Sequence, residues 1–183
     1  MDLSKSDLRQ YFLSKRRSLS NESWRTNSQR ICNYLQQHPV FTEARTILSY
    51  LSYRNEPDLS SLLTTKKTWG LPRCVGKKLA WHHYQTGDVL TSGKYGITEP
   101  HPDSPFINLD KIDLILVPAV ACSKSGDRLG YGGGFYDRFL TSRNHPVTTI
   151  GIIFDCCLAP KLPRDPWDIP LNYICTDKAI FSI

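Results

Sequence analysis

The sequence predicts an α/β fold, in which a single domain over residues 1–183 contains an open, mostly parallel central sheet flanked by helices. The chain has 183 residues, of which 40% are hydrophobic and 22% are charged, and this size and composition are typical of one compact domain. Short β-rich runs alternate with stretches of helical periodicity, as in folds built from strand–helix–strand units. Residues 112–117 are strongly apolar, which favours a strand buried on both faces of such a sheet.

The first two elements are predicted to be amphipathic helices. A helix over the first twenty residues follows Ser4 and Ser6, and its basic residues lie on the polar side. Ser20 or Asn21 can cap a second helix, which Pro39 ends. The residues that recur at helical spacing in these segments are Leu8, Tyr11, Phe12, Lys15, Leu19, Trp24, Ile31, Tyr34 and Leu35.

Strands, loops and helices alternate through the remaining sequence. A strand at 46–50 leads into a polar loop at 51–57 and a short helix at 59–63. The later elements are strands at 68–71, 79–84, 112–117, 148–154 and 173–176, and a helix at 135–143. No internal repeat, low-complexity tract or linker interrupts the sequence, so we predict no domain boundary.

A glycine-rich loop follows the most apolar strand. Five of the eleven glycines fall within the nine positions 126–134. Glycine lets backbone N–H groups approach an anion closely, and a helix that follows adds its positive end, so this order predicts a phosphate-binding loop to which Arg128 contributes. The sequence matches neither a Walker A loop nor a dinucleotide fingerprint. A tight or mobile turn without a ligand is the alternative.

Charged residues near loops and helix starts are candidates for ligand binding. Asp137 follows the glycine-rich loop, where a carboxylate can hold Mg²⁺ beside phosphates or, alternatively, stabilise the helix dipole. Lys5 and Arg9 share one helix face and can meet an anion together, although most such pairs are solvated. Glu56 can accept hydrogen bonds from an amino-substituted heterocycle such as a pterin, or remain a solvated loop acid. Asp168 lies in a proline-rich loop, and by itself it is expected to be an ordinary surface acid.

The net charge and the cysteines indicate which kinds of binding partner and which cellular compartment to expect. The chain has 23 basic and 17 acidic residues, and its net charge of +6 favours nucleotides, polyanionic metabolites or nucleic acid as partners. The cluster Lys15-Arg-Arg17 is expected to be solvated. Six cysteines without metal-finger spacing indicate reduced thiols and hence a cytoplasmic protein. No export or membrane segment is visible, and the sequence makes no prediction of oligomeric state.

Six segments follow one another in a recognisable order and spacing. They are Lys5-x-x-x-Arg9, Tyr50-x-x-x-x-x-Glu56, Leu71-Pro72, Tyr95-Gly-Ile-Thr-Glu-Pro100, Val117-Pro118 and Gly126-Asp-Arg-Leu-Gly-Tyr-Gly-Gly-Gly-Phe-Tyr-Asp-Arg138. Together they resemble the 5-formyltetrahydrofolate cyclo-ligase family, also called methenyltetrahydrofolate synthetase. The resemblance extends from Lys5 to Thr176, and the last segment is its most specific part.

The resemblance implies an enzyme with small-molecule substrates, namely ATP and a reduced formyl folate, with Mg²⁺ as the metal and without a nucleic-acid or membrane partner. The implied ATP-binding residues are Lys5, Arg9, Arg128, Leu129, Gly130, Tyr131, Gly132, Gly133, Gly134, Phe135 and Tyr136. The implied folate-binding residues are Leu51, Glu56, Tyr131, Gly132, Gly133, Gly134 and Phe135, with Glu56 near the pterin. The implied Mg²⁺ ligands are Asp137 and Asp168.

The implied reaction closes 5-formyltetrahydrofolate to 5,10-methenyltetrahydrofolate with release of ADP and phosphate. The γ-phosphate of ATP moves to the formyl oxygen, and N10 then closes the ring, so no protein nucleophile is required. The sequence departs from the commoner family pattern at Cys122-Ser123, Phe135, Asp155-Cys-Cys157 and Trp167. Two alternatives stay open: a homologue that acts on another formylated or carboxylated metabolite, and a basic nucleic-acid-binding module that uses Lys15-Arg-Arg17.

Overall fold

The apolar run at 112–117 provides the middle strand of a seven-stranded sheet. We describe it from a computed structural model, which covers residues 4–143 and 145–183. The strands in these residues are β1 (Thr46–Leu48), β2 (Thr68–Val75), β3 (Lys78–Tyr84), β4 (Leu90–Ser92), β5 (Thr98–Pro100), β6 (Leu114–Pro118), β7 (Ala121–Ser123), β8 (Arg128–Leu129), β9 (Thr148–Ile152), β10 (Leu158–Ala159), β11 (Tyr173–Cys175) and β12 (Ile180–Ser182).

The main sheet is open and mostly parallel, as predicted. Its strand order is β12-β11-β9-β6-β1-β2-β3. The inner strands β2, β1, β6, β9 and β11 run parallel to one another. The edge strands β3 and β12 are antiparallel to their neighbours, and neither antiparallel edge was predicted as such. The parallel strands therefore end on the same side of the sheet, where their connecting loops meet.

Helices cover both faces of this sheet. They are α1 (Lys5–Arg17), α2 (Asn21–Gln37), α3 (Pro39–Glu43) and α4 (Phe135–Thr141). Ser4 caps α1 in a capping box with Asp7, and Ser20 caps α2. Pro39 ends the predicted second helix and occupies the first turn of α3, where its missing N–H costs nothing. Within the described residues, each helix is too short or too polar to cross a membrane.

Alternating side chains of β6 divide the core into two clusters, one on each face of the sheet. Ile115 and Val117 pack in the cluster that includes Phe12 of α1 and Phe139 of α4. Leu114 and Leu116 belong to the other cluster, against α2 and α3. The side chains of Leu114 through Val117 are fully buried, which explains why the run is apolar at every position rather than at every second one.

Two predicted features of the helices are wrong. The helix expected at 59–63 is a single 3₁₀ turn, Leu62–Thr64, because the Asp58 carboxylate accepts hydrogen bonds from Ser60 and holds the chain in a local turn instead. In α1, Tyr11 is 49% exposed and Arg16 is 1% exposed. The basic residues of this helix therefore do not all lie on its polar side.

Small secondary sheets frame the loops that follow β6. Strands β10, β7 and β8 form a three-stranded sheet, and β4 and β5 form a hairpin. Strand β8 lies within the segment 126–134 that was predicted as a glycine-rich loop, and it pairs with β7 through Cys122 and Arg128. This pairing anchors one end of the glycine-rich loop, while α4 anchors the other end.

Candidate active site

A cavity of about 530 Å³ opens where β1 and β6 end. Tyr50 and Leu51 follow β1, and Pro118 is the last residue of β6. The carboxyl ends of parallel strands are the usual location of binding sites in open α/β sheets. The cavity is lined by all residues that the sequence predicted for ligand binding, which are Lys5, Arg9, Leu51, Glu56, Arg128, Leu129, Gly130, Tyr131, Gly132, Gly133, Gly134, Phe135, Tyr136, Asp137 and Asp168.

Helix α1 contributes two cationic side chains to this cavity. Lys5 Nζ lies 2.7 Å from Asp165 Oδ2 and 2.5 Å from Asp168 Oδ2. Burial disfavours the ammonium, but hydrogen bonds to the two carboxylates outweigh it and raise the pKa of Lys5. Arg9 Nε donates a hydrogen bond to Gly130 O at 2.8 Å. Positive charge is therefore held directly beside the glycine-rich loop.

The glycine-rich loop adopts a backbone conformation that disfavours side chains. Gly132 and Gly134 have φ values of 96° and 63°, in the left-handed region that glycine tolerates. No side chain caps the first turn of α4. Within residues 4–143 and 145–183, the buried Arg128 Nε and Tyr136 Oη have no hydrogen-bond partner. Unpartnered donors on residues that line a cavity fit a site for a ligand rich in hydrogen-bond acceptors.

Two carboxylates lie among these cations. Asp137 Oδ1 accepts a hydrogen bond from Arg128 Nη2 at 2.7 Å. Asp168 accepts one from Asp165 N at 2.8 Å, in addition to its contact with Lys5. Burial works to raise the pKa of Asp168, but the hydrogen bond from Asp165 N and the Lys5 ammonium lower it overall. Asp168 is therefore an ionised carboxylate at neutral pH.

The carboxylate pair can contribute to a Mg²⁺ site but does not form a complete one. In the described part of the chain, no three His, Cys, Asp or Glu side chains converge on a common point. Mg²⁺ usually takes one or two carboxylates and completes its shell with water and phosphate oxygens. Asp137 and Asp168 thus fit a metal that binds together with a polyphosphate, rather than one that the protein holds alone.

Glu56 is a buried acid and not a solvated one. It is 3% exposed, its Oε2 accepts a hydrogen bond from Tyr53 N at 3.1 Å, and its carbonyl oxygen accepts one from Trp24 Nε1 at 2.9 Å. Burial raises the pKa of Glu56 to about 7, although Arg16 and a hydrogen bond from Tyr131 oppose this change. The carboxyl group therefore changes its charge close to neutral pH.

Arg16 is buried near Glu56, and its charge favours the ionised form of that acid. Its Nε and Nη1 donate to Arg54 O at 3.1 Å and to Ala119 O at 3.2 Å, and its Nη2 donates to Tyr131 Oη. The prediction that Lys15-Arg-Arg17 is a solvated cluster is therefore wrong for its middle residue. Helical spacing carried a signal for this, because Arg16 lies four positions after the buried Phe12.

Aromatic rings line another part of the cavity. The Tyr53 and Tyr131 ring centroids are 6.1 Å apart, and those of Tyr95 and Phe135 are 6.4 Å apart. Tyr53 Oη donates a hydrogen bond to Tyr95 O at 2.9 Å, which joins the two pairs. Trp167, beside Asp168, is 67% exposed. Flat aromatic faces beside a buried acid suit a planar heterocycle with polar edges.

Sequence reasoning missed two acids in the cavity. Asp165 was not singled out, although it lies three residues before Asp168 in the same loop and contacts Lys5. Glu99 was noted only as part of a longer segment, yet it is 1% exposed. Glu99 Oε1 accepts a hydrogen bond from Cys74 N at 2.9 Å, and its Oε2 lies 3.7 Å from Arg73 Nη1. A strand pattern does not reveal which acids turn inward.

Comparisons with known proteins identify the family of this chain. The sequence profile described as the 5-formyltetrahydrofolate cyclo-ligase family matches residues 2–177. The chain is 30% identical to the 5-formyltetrahydrofolate cyclo-ligase of Escherichia coli strain K12, over 92% of this chain and 97% of that protein. It is 31% identical to the protein of the same name from Mycolicibacterium smegmatis, over 96% of this chain and 94% of that protein.

Solved structures give the same result for the fold. The 5,10-methenyltetrahydrofolate synthetase of Aquifex aeolicus superposes with a TM-score of 0.87 at 32% identity, covering 98% of this chain and 93% of that one. A 5,10-methenyltetrahydrofolate synthetase from Mycoplasma pneumoniae superposes with a TM-score of 0.77 at 23% identity, over 96% of this chain and 99% of that one, and supports the fold alone. The chain therefore belongs to the 5-formyltetrahydrofolate cyclo-ligase family of ATP-dependent ligases.

Proposed function

We propose that this protein catalyses the ATP- and Mg²⁺-dependent cyclisation of 5-formyltetrahydrofolate to 5,10-methenyltetrahydrofolate, with release of ADP and phosphate. The observation that carries the proposal is the position of the glycine-rich loop. Between Arg128 and Asp137 it lines one cavity together with the cations of α1 and the buried carboxyl group of Glu56. A phosphate donor and a heterocyclic acceptor can therefore meet across a single loop.

In this proposal, the phosphates of ATP bind Lys5, Arg9 and Arg128. Lys5 and Arg128 are now paired with Asp168 and Asp137 at 2.5 Å and 2.7 Å. Phosphate groups carry more negative charge than a carboxylate and can replace Asp168 and Asp137 as the partners of these cations. Binding of the phosphates therefore frees the two carboxylates. Arg128 Nε and Tyr136 Oη, which are unpartnered within the described residues, gain acceptors from the same ligand.

Asp137 and Asp168 would hold Mg²⁺ together with phosphate oxygens, and the metal would supply charge neutralisation at the transferred group. The protein groups do the remaining work. The carboxylates hold the metal, while Lys5 and Arg128 exchange one anionic partner for another. Nucleotide and metal are therefore expected to bind cooperatively, because each releases the group that the other needs.

The folate end of the cavity is assigned to Glu56 and the aromatic rings. The N–H groups of a pterin would donate to the Glu56 carboxylate, whose neighbours Arg16 and Tyr131 favour the ionised form. Rings such as those of Tyr53, Tyr95 and Phe135 can contact the flat faces of the substrate. Leu51 adds an apolar contact at the cavity wall.

The reaction requires positioning more than covalent help from the protein. A formyl oxygen is a poor leaving group until it carries the γ-phosphoryl group, after which N10 attacks the formyl carbon and phosphate departs. Rate acceleration in such a scheme comes from holding the two substrates in contact and from neutralising phosphate charge. Partly buried cations and loop N–H groups are suited to both tasks.

The test follows formation of the methenyl product by its near-ultraviolet absorption, with purified protein, 5-formyltetrahydrofolate, ATP and Mg²⁺. Controls omit ATP or Mg²⁺. Asp137→Asn is expected to lower turnover about tenfold or more, as loss of a metal ligand does. Asp103→Asn is the matched control, since that side chain is 90% exposed and outside the cavity. Unchanged turnover in Asp137→Asn would remove this residue from the metal site.

A second variant tests the folate end. Glu56→Ala is expected to raise the concentration of folate needed for half-maximal rate, with little change in the ATP requirement. An effect confined to ATP would contradict the pterin assignment of Glu56.

If a folded, ATP-binding protein forms no methenyl band, the substrate is another formylated or carboxylated metabolite. The nucleic-acid alternative has lost the centre of its basic cluster, because Arg16 is buried; it predicts steeply salt-dependent binding of nucleic acid.

We also propose that the protein works in the cytoplasm. All six cysteines are free thiols, and four of them, Cys32, Cys122, Cys157 and Cys175, are buried. Such thiols are typical of a reducing compartment. Microscopy of a fluorescent fusion would test this location directly.

A further inference from the structure

A buried arginine lies directly behind the cavity. Arg16 of α1 is 1% exposed, and its guanidinium donates hydrogen bonds to three separate segments, at Arg54 O, Ala119 O and Tyr131 Oη. In the part of the chain that the structure describes, no carboxylate lies within ion-pair distance of Arg16. A buried cation without a directly paired acid is costly to the folded state. A neutral side chain would fill the same space at lower cost, which points to a role for the charge.

Helix α1 places this arginine in line with the two cations of the cavity. Lys5, Arg9 and Arg16 lie within about 40° of one another around the helix axis. Arg9 Nε donates to Gly130 O at 2.8 Å, and Arg16 donates to the side chain of the next residue, Tyr131. One face of α1 therefore contacts two consecutive residues of the glycine-rich loop.

The Tyr131 hydroxyl connects Arg16 to Glu56. It accepts a hydrogen bond from Arg16 Nη2 and donates one to the Glu56 carboxylate. Arg54, whose carbonyl oxygen is a second acceptor for Arg16, lies in the loop before Glu56 and has a φ of 48°, which is uncommon for a residue other than glycine. Arg16 therefore holds both the chain that leads to Glu56 and the hydroxyl beside its carboxylate.

The Glu56 carboxylate has acceptor positions left for a ligand. An ionised carboxylate offers about four lone-pair positions. Tyr53 N occupies one of them, at 3.1 Å from Oε2, and the Tyr131 hydroxyl occupies another. About two positions remain, which suits two neighbouring N–H donors on one edge of a heterocycle. Glu56 lines the cavity, so such a ligand can reach it.

Neutral hydroxyl groups complete the surroundings of Glu56. Tyr50, which follows β1, and Tyr136 of α4 lie near this acid. Burial raises the pKa of both hydroxyls, and it raises the pKa of Tyr131 in the same way, so all three stay protonated at neutral pH. Arg16 is therefore the charged group that favours the ionised form of Glu56.

We propose that Arg16 is a positioning residue, which acts through the Tyr131 hydroxyl to hold the Glu56 carboxylate for two neighbouring N–H donors of a planar heterocycle. This inference rests on the proposed function, because it specifies how the acid at the folate end is held. Arg16 itself does not line the cavity. Since Tyr131 belongs to the glycine-rich loop, the same link fixes this loop relative to Glu56.

The first test removes only the Tyr131 hydroxyl. In the ligand-free, full-length chain, the infrared band of the Glu56 carboxyl, isolated by subtracting the spectrum of Glu56→Gln in the same background, gives the pH midpoint of its ionisation. Tyr131→Phe should move this midpoint upward by about one pH unit, because a hydrogen bond to the ionised form is lost. Tyr53→Phe is the matched control, since its hydroxyl donates to Tyr95 O instead. This control should leave the midpoint unchanged.

Cyclisation kinetics give a second readout. When the midpoint moves from about 7 to about 8, the ionised share of Glu56 at pH 7 falls about fivefold. Tyr131→Phe should therefore raise the concentration of 5-formyltetrahydrofolate needed for half-maximal rate about fivefold at pH 7, with a smaller change in kcat. The difference from the parent chain should shrink at about pH 9, where Glu56 is ionised in both. An equal difference at both pH values would mean that Tyr131 acts by packing alone.

Variants of Arg16 separate its charge from its hydrogen bonds. Arg16→Gln removes the charge and should move the midpoint at least as far as Tyr131→Phe, whereas Arg16→Lys keeps the charge and should recover part of the shift. Urea unfolding is the folding control. If neither Arg16 variant folds, Tyr131→Phe decides, because Tyr131 is 39% exposed and loses a single oxygen.

The outcomes separate this inference from the proposed function. An unchanged ionisation midpoint in folded Tyr131→Phe would overturn the inference, whether or not the parent chain forms the methenyl product. A shifted midpoint in a chain that forms no methenyl product would support the link from Arg16 to Glu56 and would refute the folate assignment alone.

Discussion

Replacement of Glu56 by glutamine should stabilise the protein at high pH and not at low pH. Burial raises the pKa of this carboxyl from its ordinary value of 4.5 to about 7. An acid whose pKa is raised by folding binds its proton more tightly in the folded state. Its contribution to stability is therefore fully present below about pH 4.5 and is lost as the pH rises through about 7.

The magnitude follows from the size of this change. Each pH unit between the two pKa values corresponds to about 1.4 kcal/mol, so ionised Glu56 costs the folded state about 3 kcal/mol above neutral pH. Glutamine has nearly the same shape and no charge to lose. The free energy of unfolding of Glu56→Gln, minus that of the parent chain, should therefore rise by about 2.5 kcal/mol between pH 5 and pH 8.

Urea unfolding at several pH values measures this difference. Glu43→Gln is the matched control, because it removes one carboxylate from the exposed end of α3. A difference curve for Glu56→Gln that is flat with pH would refute the reasoning, since it would mean that Glu56 ionises in the folded protein as it does in the unfolded chain.

Further predictions concern the cavity. Binding of 5-formyltetrahydrofolate should release up to about half a proton at pH 7, because pterin N–H donors favour ionised Glu56 and about half of this group is protonated before binding. Titration calorimetry in buffers of different ionisation enthalpy measures this release, and no buffer dependence would contradict it. Asp165→Asn should tighten the binding of ADP in the absence of Mg²⁺ about fivefold, because the Asp165 carboxylate lies 2.7 Å from Lys5 Nζ and competes with phosphate for it. A tryptophan-fluorescence titration measures this affinity. Weaker binding would show that Asp165 instead holds Lys5 in place. Gly93→Ala should lower the free energy of unfolding by about 2 kcal/mol, because the added Cβ would lie 2.2 Å from the Glu99 carboxyl. Urea unfolding measures this change. An unchanged unfolding midpoint would show that the β4–β5 hairpin or the Glu99 side chain can shift at little cost.

The sequence predicted the fold where local pattern and burial agree. The uniform apolarity of 114–117 reflects a middle strand with a cluster on each face, and the glycine-rich loop is placed by the strand before it and the helix after it. The failure at 59–63 has a local cause, because Asp58 competes for the backbone N–H of Ser60. Edge strand β12 is short and carries no pattern that would have predicted it.

All residues that were named as site candidates line the cavity, but the charge pairing between them was not predicted. Lys5 and Asp168 were named for different ligands, and nothing in their spacing indicates that they contact each other. Glu56 carries the same ambiguity, because a loop acid looks solvated until Arg16 and Tyr131 are brought beside it by the fold. Partners far apart in sequence decide both cases, and periodicity contains no information about them.

The ion pairs of Lys5 join positions 160 and 163 residues apart, and this separation has a consequence for the chain during its synthesis. The hairpin of β2 and β3 can form as soon as Tyr84 has left the ribosome, since all its pairing is local. The first helix emerges earlier still, yet the carboxylates that hold its leading lysine emerge only after 160 and 163 further residues. A nascent chain thus exposes the buried face of α1 until those residues have been made, and we expect a chaperone to act on this helix throughout that interval.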